Sequence, residues 1–111
     1  MQPRLKPGIY VRALIRRAEV AGAAGYVLHK GSEDAGAVII KLSPLDGTTT
    51  LLVQARAGAE GVLVWMRPLG GPCDEKTAAA FVEKQRRFDP DLWVVEIEDR
   101  QGRSFVDETI V

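Results

Sequence analysis

The chain has 111 residues and a mass of 12.1 kDa, 46% of it hydrophobic and 27% charged, with 15 Lys+Arg against 15 Asp+Glu and no net charge. A chain of this length buries roughly 65% of the surface its unfolded form exposes, so residues 1–111 read as one domain that needs neither metal nor disulfide to hold a core. The apolar content excludes a disordered protein, and no apolar run approaches the ~20 residues that span a bilayer, so no membrane partner is expected.

The first periodic segment is Ile9, Val11, Leu14, Ile15, Ala18 and Ala21, whose spacings of three and four place one apolar stripe on a helix. Arg12, Arg16 and Glu19 fall on the other side, and Gly22 or Gly25 ends the run. Four short apolar segments follow: Tyr26 to Lys30, Ala37 to Leu42, Thr49 to Arg56 and Val62 to Arg67, which read as strands. The turns between them, Gly31 to Gly36, Ser43 to Gly47 and Ala57 to Gly61, are short enough for antiparallel hairpins. Pro68 to Pro72 breaks this rhythm. Asp74 then caps a second helix with apolar positions Ala78, Phe81, Val82 and Phe88, and Asp89-Pro90 stops it. Leu92 to Ile97 is a further strand, and Arg100 to Arg103 turns the chain back toward Phe105 and Val106, where a short last strand would fit.

The expected fold class is therefore α+β: an antiparallel sheet of about five strands with two amphipathic helices, ordered helix, four strands, helix, strand. Both helices are expected on one face, with the other solvated or available to a partner. Val38, Ile39, Ile40 and Leu42 are apolar on both sides, as are Trp93, Val94, Val95 and Ile97, so these two strands are expected at the centre with both faces covered. A second copy on the open face would supply that cover, which makes self-association the expected assembly.

Met1 to Gly8 has positive charges but lacks the apolar stretch of a secretory signal, and Cys73 is the only cysteine, so a cytoplasmic location is expected. Cys73 has no base near it in sequence and His29 is the only histidine, so both read as structural or surface residues. The neutral total hides an uneven spread: residues 1–30 carry +5, residues 31–72 carry −1 and residues 73–111 carry −4. Pairing of the two ends with each other is the expected use of that asymmetry.

The stretch Gln85-Arg86-Arg87-Phe88-Asp89-Pro90-Asp91-Leu92-Trp93-Val94-Val95-Glu96-Ile97-Glu98-Asp99-Arg100 resembles the signature of a small bacterial family, domain of unknown function 1491. Ala13 to Arg17, the turn Lys30 to Val38, and Leu45-Asp46-Gly47 with Trp65 are similar to that family in order and spacing, so the resemblance covers nearly the whole chain. Ser32 stands where the family's turn has an aspartate, which argues against an acidic metal-binding loop here. The resemblance implies a bacterial protein, mainly alphaproteobacterial, and brings no assigned activity.

The residues themselves suggest three chemistries. On a strand, Glu96 and Glu98 share one face, and with Asp89 and Asp91 they would form the carboxylate cluster of a metal-dependent hydrolase or nuclease, although no lysine follows the second acid. Arginine outnumbers lysine ten to five, and Arg16, Arg17, Arg86 and Arg87 beside Trp65 or Trp93 would suit RNA, but the pI near 6.6 lies far below the basic range of nucleic-acid binders. No nucleophile set or phosphate cradle is present, so no catalytic residue and no cofactor are expected. The favoured expectation is a binding or adaptor module, with an unidentified protein partner or a second copy. Its surface would be built from Arg16, Arg17, Arg86, Arg87, Asp89, Asp91 and Trp93.

Overall fold

The protein, described here from a computed structural model covering residues 5–111, is an α+β fold with two helices and a mixed six-strand sheet. Arg4, one of the N-terminal bases counted above, lies outside the described residues. In chain order the elements are α1 (Pro7–Val20), β1 (Ala24–His29), β2 (Val38–Ser43), β3 (Thr48–Ala57), β4 (Val62–Met66), β5 (Cys73–Asp74), α2 (Glu75–Phe88) and β6 (Trp93–Glu98). No helix among the described residues is long and apolar enough to cross a membrane.

The expected antiparallel meander is not what forms. The sheet runs β1-β6-β2-β3-β4, with the two-residue β5 pairing on β3, so the last strand is inserted between the first two. β6 runs antiparallel to β1 and parallel to β2, with Val38 beside Trp93 and Ile40 beside Val95. A parallel neighbour cannot be reached by a hairpin and needs a crossover, which α2 supplies. The turn from Gly31 to Gly36 therefore joins strands two places apart and is not a hairpin.

The two helices also differ from expectation, because they cover opposite faces. Under α1 lie Val38, Ile40, Leu42, Leu52, Trp65, Trp93, Val95 and Ile97, together with Tyr10, Val11, Leu14 and Ala18 of the helix. Under α2 lie Ile39, Leu51, Leu92 and Val94 with Ala78, flanked by Phe81, Val82 and Cys73. The doubly apolar strands β2 and β6 are thus central and covered on both sides, by the chain's own helices. A second copy is not needed on either face.

Two helix positions differ from the periodic pattern. Ile9 is exposed while Tyr10 is buried, because the C-terminal segment reaches under α1. Phe88 is 77% exposed, since α2 has already run past the sheet at its last turn. The N-cap was legible: the Asp74 carboxylate accepts from Thr77 N at 2.6 Å.

Residues 103–111 form no full strand. Asp99 binds the Arg103 guanidinium through both carboxylate oxygens (2.8 and 3.0 Å) and accepts the Arg103 N–H (2.9 Å), which folds the chain back after β6. Arg17 Nε then donates to the Phe105 carbonyl at 2.9 Å, and Glu108 accepts both from Tyr10 Oη (2.5 Å) and from Trp65 Nε1 (2.9 Å). Trp65 N donates to Thr109 O and Val111 N donates to Trp65 O, both at 2.8 Å, so the tail covers the outer edge of β4.

Two expectations follow. Glu108→Ala strips the acceptor from a buried indole and a buried phenol and should cost about 2–4 kcal/mol of unfolding free energy in urea, whereas Glu108→Gln, which keeps an acceptor oxygen, should cost much less. The Arg103 pair holds Asp99 at about 2, below the ordinary carboxylate value. An aspartate depressed on folding stabilises the native state above its unfolded pKa of about 3.9 and loses that effect as pH falls through the folded value. The stability gap between the native protein and Asp99→Asn should therefore be constant above about pH 5 and close toward pH 2, read from unfolding midpoints along a pH series.

Candidate functional site

The segment singled out by sequence is a packing joint. Asp89 closes α2, and its Oδ1 accepts from Asp91 N at 3.0 Å while its carbonyl accepts from Leu92 N at 3.2 Å, making a tight turn into β6. The Asp91 carbonyl then accepts from Ser32 N at 2.9 Å, and Trp93 Nε1 donates to Ser32 O at 2.6 Å. A Cβ on Gly31 would sit 2.0 Å from the Asp91 carbonyl oxygen, and one on Gly36 would sit 1.9 Å from it. Both glycines are needed because two strands of backbone press together there. Glu33, between them, receives Arg12 at 3.0 and 3.3 Å, and its carbonyl accepts from Gly8 N, which ties the loop to the start of α1.

The expected binding residues divide accordingly. Asp89, Asp91 and Trp93 belong to this joint, and Trp93 is buried in the core. Arg86 and Arg87 end α2 at the same end of the molecule, with Arg86 Nη2 donating to His29 Nδ1 at 3.0 Å. Arg16 and Arg17 lie on α1, across the sheet from α2, and Arg17 is committed to the Phe105 carbonyl and to Asp107 at 3.8 Å. The seven residues do not form one surface. Trp65 is likewise buried, so neither indole offers a stacking face for a base.

The four carboxylates of the hydrolase reading also separate. Glu96 and Glu98 do share a face, the α2 side, but five residues of extended chain put Glu96 roughly 16 Å beyond Asp91. Among the described residues no three His, Cys, Asp or Glu side chains converge to hold a metal ion. Glu96 lies beside Lys41 across the β2–β6 pair, and burial pushes its pKa up. Lys41 is buried and forms an ion pair with Glu75, the first residue of α2, which also accepts from Thr49 Oγ1 at 2.8 Å. That pair lowers the Glu75 pKa and fastens the start of α2 to the sheet. Cys73 is half-buried, with Sγ donating to the Thr49 carbonyl at 3.4 Å.

What the sequence reading did not single out is the outer edge of β1. Ala24 to Val27 pair with Glu98 back to Val95, and the register slips before His29 meets Val94, leaving Leu28 as the extra residue. No strand among the described residues pairs with the other side of β1. Tyr26, Val27 and Leu28 are consecutive and 47%, 44% and 50% exposed. Leu28 and His29 line a groove of about 220 Å³ under α2 with Lys41, Val82, Arg86 and Val94. Tyr26 stands next to Glu98, whose carboxylate accepts from the phenol and pushes its pKa up. A run of three apolar residues without charge was visible in the sequence, but only the sheet order reveals that it lies at an edge.

The joint makes one prediction. Gly36→Ala should destabilise by roughly 3 kcal/mol, the upper range for overpacking, while Gly71→Ala, whose Cβ would meet nothing within 4 Å, should be close to neutral in the same urea titration.

Comparison with known proteins agrees with this geometry. The chain matches the protein family of unknown function DUF1491 over residues 5–107. It is similar to the crystal structure of a DUF1491 family protein from Caulobacter crescentus CB15, with 44% identity, a TM-score of 0.90, and coverage of 97% of this chain and 100% of that one. An NMR structure of a DUF1491 family protein from the same organism gives 43% identity and a TM-score of 0.87, covering 99% of each chain. The solution structure of protein Atu0922 from A. tumefaciens gives 34% identity and a TM-score of 0.82, covering 98% of each chain. No curated protein matches the chain. With the match spanning nearly all of its length and the fold shared throughout, the chain belongs to the DUF1491 family.

Proposed function

We propose that this protein is a non-enzymatic binding module of the cytoplasm that docks an extended polypeptide along the outer edge of β1. One observation carries the reading: the two edges of the sheet are treated differently. The β4 edge is covered by the tail through Thr109 and Val111, whereas no strand among the described residues pairs with the outer edge of β1, which carries Tyr26, Val27 and Leu28 in a row. Proteins usually blunt exposed edges with lysine, proline, a bulge or a covering segment, because unpaired N–H and C=O groups template another strand, and of these β1 has only the bulge at Leu28 near its end. β1, Ala-Gly-Tyr-Val-Leu-His, contains neither lysine nor proline. Strand addition draws affinity from main-chain hydrogen bonds and specificity from side-chain pockets, and the groove beside Leu28 can supply such a pocket. The free thiol of Cys73 fits a reducing, cytoplasmic setting.

The test is a crosslinked affinity purification from the native cytoplasm, comparing the tagged protein with a Leu28→Asp variant, each with and without nuclease. Leu28 is half exposed, so the variant should keep the native unfolding midpoint. The expected outcome is a polypeptide that survives nuclease and is recovered at least about ten-fold less with the variant, a difference of about 1.4 kcal/mol. Equal recovery by both proteins, or loss of every partner on nuclease treatment, overturns the reading.

A further inference from the structure

We infer that the strand docking on β1 carries a large uncharged apolar side chain, of leucine, methionine or phenylalanine size, into the groove between Leu28 and α2. The inference rests on the reading of β1 as a docking edge and adds the chemistry of the residue that anchors there. The groove owes its outer wall to the register slip in β1. With Tyr26 across from Glu96 and Val27 across from Val95, strict alternation would turn His29 toward α1; the slip sets it across from Val94 instead, so Leu28 and His29 both stand on the α2 side. A bulge at a sheet edge re-aims side chains in this way. The opposite wall is one stripe of α2, where Ala79, Val82, Glu83 and Arg86 recur at helical spacing. Val94, 2% exposed, forms the floor.

Every charge that lines the groove is already matched. Lys41 is buried and its ammonium is bound to Glu75, so its aliphatic stem is what the groove receives as wall. Glu83 lies 3.5 Å from Arg86, and Arg86 donates to His29 Nδ1 at 3.0 Å, which makes that nitrogen an acceptor and the ring neutral. Close by, Lys30 reaches Glu33 at 4.0 Å, Glu96 lies across from Lys41, and Lys76 stands at the exposed first turn of α2; none of these three lines the groove. A charged side chain entering here sheds its water and meets no spare counter-charge, whereas an apolar one covers Leu28 and Val82 and leaves every pair intact. At about 220 Å³ the groove is smaller than the roughly 300–1,000 Å³ of small-molecule sites and suits a single side chain. An added strand sets one of its residues beside Leu28 on the α2 side, and a long side chain there leans across Leu28 into the groove.

The probe is a blocked heptapeptide of threonine with one variable residue at its centre, since threonine favours the extended chain and carries no charge. Titrated into the isotope-labelled protein, the leucine peptide should shift the amide signals of Tyr26, Val27 and Leu28 together with the methyl signals of Val82 and Val94. It should bind at least about ten-fold tighter than the alanine, aspartate or lysine peptides. Ala79→Leu, at an exposed helix position that leucine suits, fills the groove and should cut the leucine-over-alanine preference to about two-fold or less, with the unfolding midpoint unchanged. Glu83→Ala releases Arg86 and should tighten the aspartate peptide about three-fold or more while leaving the alanine peptide unchanged. Any of the other three peptides binding as tightly as leucine, a native preference in Ala79→Leu, or no gain for aspartate in Glu83→Ala overturns the inference and leaves the docking edge standing. Peptides none of which shifts β1 at concentrations up to about 5 mM overturn both readings.

Discussion

The position of β6 governs the rest of the molecule. Inserting the last strand between β1 and β2 sets a parallel contact at the centre of an otherwise antiparallel sheet. It obliges α2 to act as the crossover and places that helix on the face opposite α1. The insertion is held at its entry by the joint of Gly31, Ser32 and Gly36 against Asp91 and Trp93. There main-chain groups and one indole N–H are satisfied by backbone atoms at 2.6–2.9 Å. Without β-carbons at the two glycines the loop can lie on the strand, and with them it cannot.

From that insertion follows the asymmetry of the sheet edges. β1 is displaced outward and loses β2 as a neighbour, so one of its edges has no strand against it among the described residues. β4, at the other end, is covered by a tail that Asp99 and Arg103 turn around and that Glu108 anchors under Tyr10 and Trp65. The tail itself contributes few apolar residues, and its hold depends on hydrogen bonds to groups that would otherwise be buried unpaired. The charged pairs elsewhere are similarly local. Arg12 and Lys6 meet Glu33 and Asp34, while Arg17 meets Asp107, so the N-terminal bases find acids within the fold, mostly those of the nearby loop.

The family signature acquires a physical meaning through this arrangement. Asp89, Asp91 and Trp93 are polar and aromatic residues at close spacing, the kind of cluster that often marks a site. Their spacing instead serves a helix stop, a turn and a strand entry that must accept a loop from elsewhere in the chain. The exposed edge run, Tyr26 to Leu28, has an ordinary strand composition and no motif at all.

Local chemistry in the sequence determined a good deal: the two helices, the Asp74 cap, the stop at Asp89-Pro90, the four central segments, and the alternation that puts Glu96 and Glu98 on one side of β6. Each depends on residues within a few positions of one another, where periodicity and backbone preference act. It also determined that β2 and β6 are covered on both faces, since neither has a polar side along most of its length. What covers them was decided only by the tertiary structure. Whether two doubly apolar strands sit together or apart depends on a crossover and on a close approach between residues about sixty positions apart, and hydrophobic pattern is blind to both. The same long-range choice exposed β1, buried both tryptophans, and separated Arg16 and Arg17 from Arg86 and Arg87. A strand pattern specifies which side chains turn inward, while the order of strands alone specifies which edge is left open.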